Sequence, residues 1–506
     1  MVYYQLRSSR TPLLCSLALF VLYLLYQLLG SLQILNNPQG TKPQPASRLK
    51  KVAVVHHGAH PGIDTESKES AGSQQEPNLE DLLRSKENED WVRLRADQCA
   101  PYPRYEDIEF TNPYFQLTRH ENLTYYLYGA YYDRRPTIPE MVVLGMVTRC
   151  GGSYPASYLQ VWYDGDTQPE KLPVHQSKLG WYPEWGHPEA VAFPTLFSFQ
   201  MNSQRVPQLV SLVFDPCAVP KNAFKVVPPP PEEPPNAQRP KRIGVCVKYL
   251  TFPDVDMTDR FVEWLELMRL LGATKVTAFD IGQLMPNTMR TLAHYTEAGD
   301  GFFDLRKFRF PNETADHETF RAMIIEVLLY NDCLYRSLYD FDFVAVVDVD
   351  EVIMPLGEHR TWQDLLTHLQ TQDVNATTRS SYCFRNVYFS KQLPADESIP
   401  EQFFMLRHVM RVAEHLDPYS AIKCLHDISY VTLLHNHFPF QWMNASDPYH
   451  VGIDLGQMQH YRYTENLKSL VDPPPVRDDN IRRFQHQLIH NSLEVHRQLA
   501  QSRAAY

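Results

Sequence analysis

Hydrophobic and polar positions alternate in different ways along this chain, and the changes in period divide it. Leu13 to Leu29 is an apolar run broken only by Ser16 and Gln27. Arg7 and Arg10 precede it, and no Asp or Glu occurs before Asp64. That run is about the minimum length for a membrane span. Basic residues on its N-terminal side favour an N-terminus-in orientation. The expectation is a cytoplasmic tail over 1–12 and an uncleaved signal anchor over 13–35, a type II topology; a cleaved signal peptide is the alternative. Residues 36–98 are polar without a sustained period and read as a stem. From 99 to 225 come short apolar runs between turn residues, such as Met141 to Leu144, Tyr158 to Tyr163 and Val210 to Phe214. These predict strands, hence a β-rich module. The run Val226 to Pro235 is dominated by proline and reads as a stiff linker over 226–241.

After the linker the period changes again. Strands are predicted at Ile243–Leu250, Lys275–Phe279, Phe302–Phe308 and Phe343–Val347. Helices are predicted at Thr258–Leu271, Pro286–Tyr295 and His317–Tyr339. Phe261, Trp264, Leu265, Met268 and Leu271 share one face of the first helix, and Gly272 stands where a C-cap belongs. Alternating strands and helices imply an α/β domain over 242–475 with a mostly parallel sheet. Residues 476–506 read as a helical tail.

Composition narrows the function. The 506 residues carry 48 Lys plus Arg against 59 Asp plus Glu, a net charge of -11, with no basic stripe, so nucleic acid is excluded as an expected partner. There are 20 Gly and 39 Pro, and neither of the glycine-rich phosphate loops occurs. Cys15 lies in the apolar run, and seven cysteines lie past it. In an oxidising lumen they can pair, and the odd count leaves at least one over. Asn122, Asn312, Asn375 and Asn444 are N-glycosylation acceptors in sequence, which suits a lumenal body.

The strongest chemical signal is Asp348-Val349-Asp350-Glu351 at the end of the Phe343–Val347 strand. Ligand sites in open α/β sheets lie beyond the carboxyl ends of strands. Three acids in four residues repel one another unless a cation joins them. Asp348 and Asp350, two apart on an extended segment, would point the same way toward one ion. Oxygen ligands plus a substrate diphosphate suit Mn²⁺ or Mg²⁺. A polar turn after a strand is the plain alternative.

These residues also carry a family resemblance. Asn331-Asp332-Cys333-Leu334, the apolar strand, Asp348 to Glu351 and Pro355 resemble glycosyltransferase family 92. Cys246-Val247-Lys248, Asp259 to Trp264, Phe384 to Phe389, Lys423, His435-Asn436-His437-Phe438 and His460-Tyr461-Arg462 are similar in the same order. The resemblance implies a GT-A-type fold, a UDP-sugar donor, Mn²⁺, galactose as the transferred sugar and fucose on glycoproteins as an acceptor; inversion is expected of the transfer, retention being the alternative. A type II Golgi or endoplasmic reticulum enzyme is expected.

Further candidates follow. His435 and His437 are two apart on an expected strand, and one of them, His437 by preference, would complete the metal shell with Asp348 and Asp350; a structural, hydrogen-bonded histidine pair is the alternative. Lys423 and Arg462 would neutralise the departing UDP, Lys248 would serve there or beside the uridine, and Asp332 would meet donor sugar hydroxyls. Glu351 completes the acidic cluster. Asn331 either braces the acidic loop or caps a neighbouring strand. Glu397 is named as the acceptor's general base, with Asp396, Glu401, Glu414 and Asp427 competing. Trp442 and Tyr449 are candidate sugar-stacking rings, with core packing as the alternative. Two other functions remain open in the sequence: a glycan-binding protein with a decayed transferase domain, and a metal-dependent hydrolase.

Overall fold

The computed structural model describes residues 78–504, apart from 88, 95–98, 187–191, 232–238, 298–300, 312–321 and 373–377. The apolar run at 13–29, and with it the expected anchor, lies outside the described residues, as do Asn312 and Asn375. Among the described residues no helix is long and apolar enough to cross a membrane.

The described residues begin inside the expected stem. Asn78 caps the helix Leu79–Lys86 by accepting from Asp81 N–H, and Asp90–Leu94 follows. Leu82, Leu83 and Val92 join Tyr102, Ile108 and Trp162 in a small core. A polar segment of little periodicity still folds here because a few apolar side chains find partners far along the chain.

The β-rich module is two sheets. One runs in the order β1 (Phe110–Asn112), β2 (Phe115–His120), β3 (Leu123–Asp133), β4 (Glu140–Val147), β8 (Phe193–Gln200), β7 (Gln176–Leu179). The other runs β10 (Phe224–Lys225), β9 (Leu209–Val213), β5 (Tyr158–Trp162), β6 (Glu170–Pro173). Tyr125, Leu127, Val143, Val161, Phe197 and Leu212 are buried in the core of this module. The apolar run at Met141 to Leu144 is continuous because β4 is buried on both faces. Its second set, Val142, Leu144 and Met146, shares a core with Ile324, Ile325 and Leu328 of the helix Ala322–Arg336. The module and the following domain are therefore packed as one unit, 77–506.

The central sheet of that domain runs β13 (Phe303–Lys307), β12 (Lys275–Leu284), β11 (Ile243–Phe252), β14 (Phe343–Val346), β19 (Lys423–Asp427), β16 (Ser381–Phe384), β22 (Tyr449–His450). The first four are mutually parallel, and β19 is antiparallel to both its neighbours. The fold is thus mixed α/β. Beside it stand β15 (Glu351–Pro355), β23 (Gly456–His460) and β17 (Asn386–Tyr388), a hairpin of β20 (Val431–Leu434) and β21 (Pro439–Trp442), and the pair β18 (Met410–Arg411) and β24 (Val476–Arg477). The helix Thr258–Leu271 ends at Gly272, in the left-handed conformation a C-cap glycine supplies. The C-terminal helix Gln485–Ala504 buries Leu488, Ser492 and Val495 in the domain's main region. Three disulfides join Cys99–Cys217, Cys246–Cys333 and Cys383–Cys424, and Cys150 is free.

Candidate active site

The acidic cluster forms where β14 stops. Asp348 to Glu351 is not extended, as the spacing suggested, but a tight turn in which Glu351 N–H donates to Asp348 C=O at 3.0 Å. The Glu351 carboxylate folds back to accept the Asp348 N–H at 2.8 Å. Two outside contacts set the turn. Trp264 Nε1 donates to Glu351 C=O at 3.0 Å, and Tyr461 N–H donates to Asp350 C=O at 2.8 Å. The helix carrying Trp264 and the end of β23 thereby fix the loop from two sides.

Cations and acids interleave around this turn. Lys423 Nζ, fully buried, stands 2.9 Å from Glu351 Oε2 and 3.8 Å from Asp348 Oδ2. It also donates to Asn436 Oδ1. Lys248 Nζ lies 3.1 Å from Glu326 Oε1 and 3.4 Å from Asp348 Oδ1. Asp348 Oδ1 is buried and accepts no hydrogen bond. His460 places Nε2 3.6 Å from Asp350 Oδ2 and Nδ1 3.7 Å from Glu351 Oε1, and its ring stacks on Tyr388. Asp350 keeps a side-chain exposure of 35%, so this acid faces solvent while Glu351, at 3%, does not.

Burial alone would raise the Asp348 carboxyl, but Lys423 and Lys248, then His460, outweigh it and hold it below the usual range. Lys248 is raised, because Asp348 and Glu326 outweigh the cost of burying it. Glu326 goes the other way: burial and the Asp348 charge raise it despite Lys248. Four carboxylates thus face two ammonium groups, and the excess negative charge suits a divalent cation. Among the described residues no three His, Cys, Asp or Glu side chains converge as a ready-made metal cage. The donor set fits a hard cation that takes only part of its shell from protein, with Asp348 Oδ1 left unbonded and Asp350 exposed beside it.

The histidines are placed differently from expectation. β20 ends at Leu434, so His435 and His437 occupy the hairpin tip and not a strand. His435 sits among Trp185, Phe438 and Phe440, and its Nδ1 accepts the His437 N–H at 3.3 Å. Burial holds it well below the usual imidazole range. Lys423 acts on both rings, and in His437 burial, then Lys423, lower the pKa to about 3 against a raising influence from Asp348. Asn331 pins this hairpin. Its Oδ1 accepts Leu434 N–H and its Nδ2 donates to Leu434 C=O, each at 2.9 Å. It therefore caps the neighbouring strand, one of its two expected roles.

Several candidates lie away from the cluster. Asp332 is fully buried, paired with Arg336 at 2.7 Å and bonded to Tyr131 of the β-rich module, so it has no path to a donor sugar. Arg462 is nearly half exposed and pairs with Glu465 at 3.6 Å. Glu397, Glu401 and Glu414 are exposed, and no contact joins any of them to the turn. Asp396 is held by Arg482 at 2.6 Å. Asp427 pairs in register with Phe343, at the opposite end of β14 from Asp348. Tyr449 packs on Tyr382.

Three participants escaped the sequence reading. His460 was legible only as part of a motif whose arginine drew attention. Glu326 had a faint signal, as a lone acid in the apolar run Ala322 to Leu329. Arg260 had none. It is largely enclosed, with Cζ 3.4 Å from the centre of the Phe404 ring and Nε buried without a hydrogen bond. Burial lowers its pKa against the charges of Glu263 and Asp350.

The four parallel strands of the mixed sheet thus end, at β14, in an acidic turn whose charge two lysines partly offset. The model of glycosyltransferase family 92 matches residues 241–497, just over half of the 506. The chain belongs to that family and is a glycosyltransferase. No curated protein matches it. Among solved structures, a mycobacterial protein aligns at 14% identity and a TM-score of 0.20, covering 37% of this chain and 53% of that one. The galactosyltransferase LgtC, with donor and acceptor sugar analogues, aligns at 15% identity and a TM-score of 0.17, covering 37% and 58%. The matches thus span little more than half the length of those proteins, and likeness at this level says nothing about chemistry.

Proposed function

We propose that this protein transfers a hexose, galactose by family resemblance, from a UDP-sugar to a hydroxyl of a glycoprotein glycan, fucose being the acceptor sugar the resemblance suggests. The reading is of a GT-A-type domain, lumenal in the Golgi or endoplasmic reticulum, held through the apolar run at 13–29 as a type II membrane protein. The observation that carries it is the Asp348–Glu351 turn with Lys248, Lys423, His460 and Arg260 around it.

In this reading Asp348 and Asp350 hold Mn²⁺ or Mg²⁺, with His460 and His437 beside them. Such an ion, when bound, neutralises the diphosphate as its charge grows on leaving. The chain's own residues do the rest. Glu351 and Lys423 keep the turn in shape. Lys423 and Lys248 keep Asp348 ionised, and Glu326 holds Lys248 in place. Arg260, an enclosed guanidinium without a hydrogen-bonded acid, faces the departing phosphate oxygens, the role Arg462 was expected to share. The transfer is proposed to invert, which the anomeric configuration of the product tests.

The decisive experiment is Asp350→Ala assayed with UDP-galactose and fucosylated glycans. Transfer should fall by at least about a hundredfold, a loss of the size seen when one charge-stabilising group is removed. Thermal stability without ligand should stay near wild type, because Asp350 is partly exposed. Intact, Mn²⁺-dependent transfer in the variant would sink the mechanism. Release of free galactose at the transfer rate would instead mark a hydrolase.

A further inference from the structure

A cleft of about 450 Å³ opens where the β-rich module meets the β20–β21 hairpin, away from the acidic turn. Its walls combine ring faces with polar groups: Tyr335, Phe440 and Trp442 on one side, Glu140, His175 and Lys178 on the other. The two sides are stapled beside it. Asp133 binds Arg135 at 2.7 Å, and the Arg135 guanidinium donates to Val431 C=O at 2.8 Å, the first residue of β20. Asp133 is thereby neutralised and the cleft is preformed.

The remaining charge nearly cancels. Glu140 has His175 at 3.9 Å, and Lys178 adds one ammonium. Lys178 is largely enclosed, which lowers its pKa, and among the described residues no hydrogen bond or ion pair holds its ammonium. A polyanion finds too little positive charge here, and a lipid tail would bury Glu140 and Lys178 at a high cost. A neutral sugar chain meets both halves of the wall. Its C–H faces lie on aromatic rings, and its hydroxyls reach amines, carboxylates and amides.

β21 joins this cleft to the reaction centre. Phe440 and Trp442 lie two apart on one strand, and the hairpin tip beyond Pro439 carries His437 and Asn436. Trp442 lies five positions beyond His437, at most about 17 Å of chain. We propose that the cleft is a second saccharide site, which holds the outer sugars of a neutral oligosaccharide while the acceptor hydroxyl lies at the acidic turn. Binding in the cleft stands by itself; its part in acceptor choice rests on the transferase reading.

The test uses the full-length protein carrying Asn444→Gln, so that a glycan on this nearby exposed asparagine is not the occupant. A neutral biantennary oligosaccharide is titrated by calorimetry, with UDP plus Mn²⁺ thermal stabilisation as the control. Trp442→Ala should weaken oligosaccharide binding about tenfold, the factor that 1.4 kcal/mol represents. Lys178→Met should weaken it several-fold. Both should keep the UDP response. With the long acceptor KM should rise by the same factors at unchanged kcat, and with a monosaccharide acceptor neither constant should move. Unchanged oligosaccharide affinity in both variants overturns the proposal. If Trp442→Ala loses its UDP response through misfolding, Lys178→Met decides. Oligosaccharide binding that depends on Trp442 in a protein with no UDP response would retain the cleft and reject the transferase reading.

Discussion

Lys423 shows how burial changes the meaning of a charged residue. On a surface, a pair such as Lys423 with Glu351 is worth little, but here both groups are sealed. Removing one partner strands the other in a medium that solvates it poorly. Lys423→Met should therefore cost about 3–5 kcal/mol of stability in denaturant titrations, as well as activity. Arg462→Met, at a nearly half-exposed position, should change stability by less than about 0.5 kcal/mol. The sequence showed both as cations near strand ends and could not rank them. Rank came from depth: Lys423 starts β19 inside the central sheet, and Arg462 lies past the end of β23, which local spacing does not encode. Asp332 failed for the same reason. An acid beside a matched asparagine looks available until Tyr131, two hundred residues earlier, is found bonded to it.

At the scale of elements, periodicity served well where packing follows it. The helix Thr258–Leu271 and the strand ending before Asp348 stand where their patterns place them. The turn at Asp348 to Glu351 and the hairpin tip at His435 to His437 did not, because each is bent by a partner outside its own segment. Trp264 and Tyr461 bend the first. Asn331 secures the second through two bonds to one residue, Leu434. Asn331→Leu keeps the side-chain shape and leaves both Leu434 groups unpaired. It should destabilise by about 2–4 kcal/mol, from roughly 1–3 per unsatisfied group. It should also reduce transfer more than a distant core variant of equal cost does, since the loosened tip carries His437 and Asn436. Equal activity at equal stability loss, measured over a set of core variants, would argue against this role.

Across the whole molecule, buried titratable groups set how stability responds to pH. Burial lowers His426 to about 3 and pushes His408 and His415 below the ordinary imidazole value. Their folded pKa values are depressed, so their contribution is present above about pH 6.5 and is lost as pH falls through the folded values. Glu263 opposes them. Burial raises it to about 7, even though Met405 and Leu406 N–H groups bond its carboxylate at 2.9 and 3.0 Å. Its contribution is greatest below about pH 4.5 and fades as pH rises to 7. Among the described residues His359, His435, His437 and His450 are lowered as well, and Glu326 and Asp427 are raised beside Glu263, so seven histidines act against three acids, each worth about 1.4 kcal/mol per pH unit while it titrates. Stability should therefore rise from pH 5 to 6.5, and Glu263→Gln should steepen that rise. Denaturant titrations at the two pH values check both statements. None of this was legible in the chain, where these residues look like any others.

The core shared by β4 and the helix Ala322–Arg336 has a consequence for proteolysis. Cys99–Cys217 closes within the N-terminal part, and the other two disulfides close within the C-terminal part. Among the described residues no covalent bridge crosses the proline-rich stretch. Val227 in that stretch is 67% exposed, an accessible place for a protease. A single cut there should yield two fragments that separate on a denaturing gel without reductant. In native buffer the same fragments should travel as one particle, held by non-covalent contacts such as those of Val142 and Leu144 with Ile325 and Leu328, and should retain activity. The proline stretch would then work as a covalent tether between halves that already recognise each other.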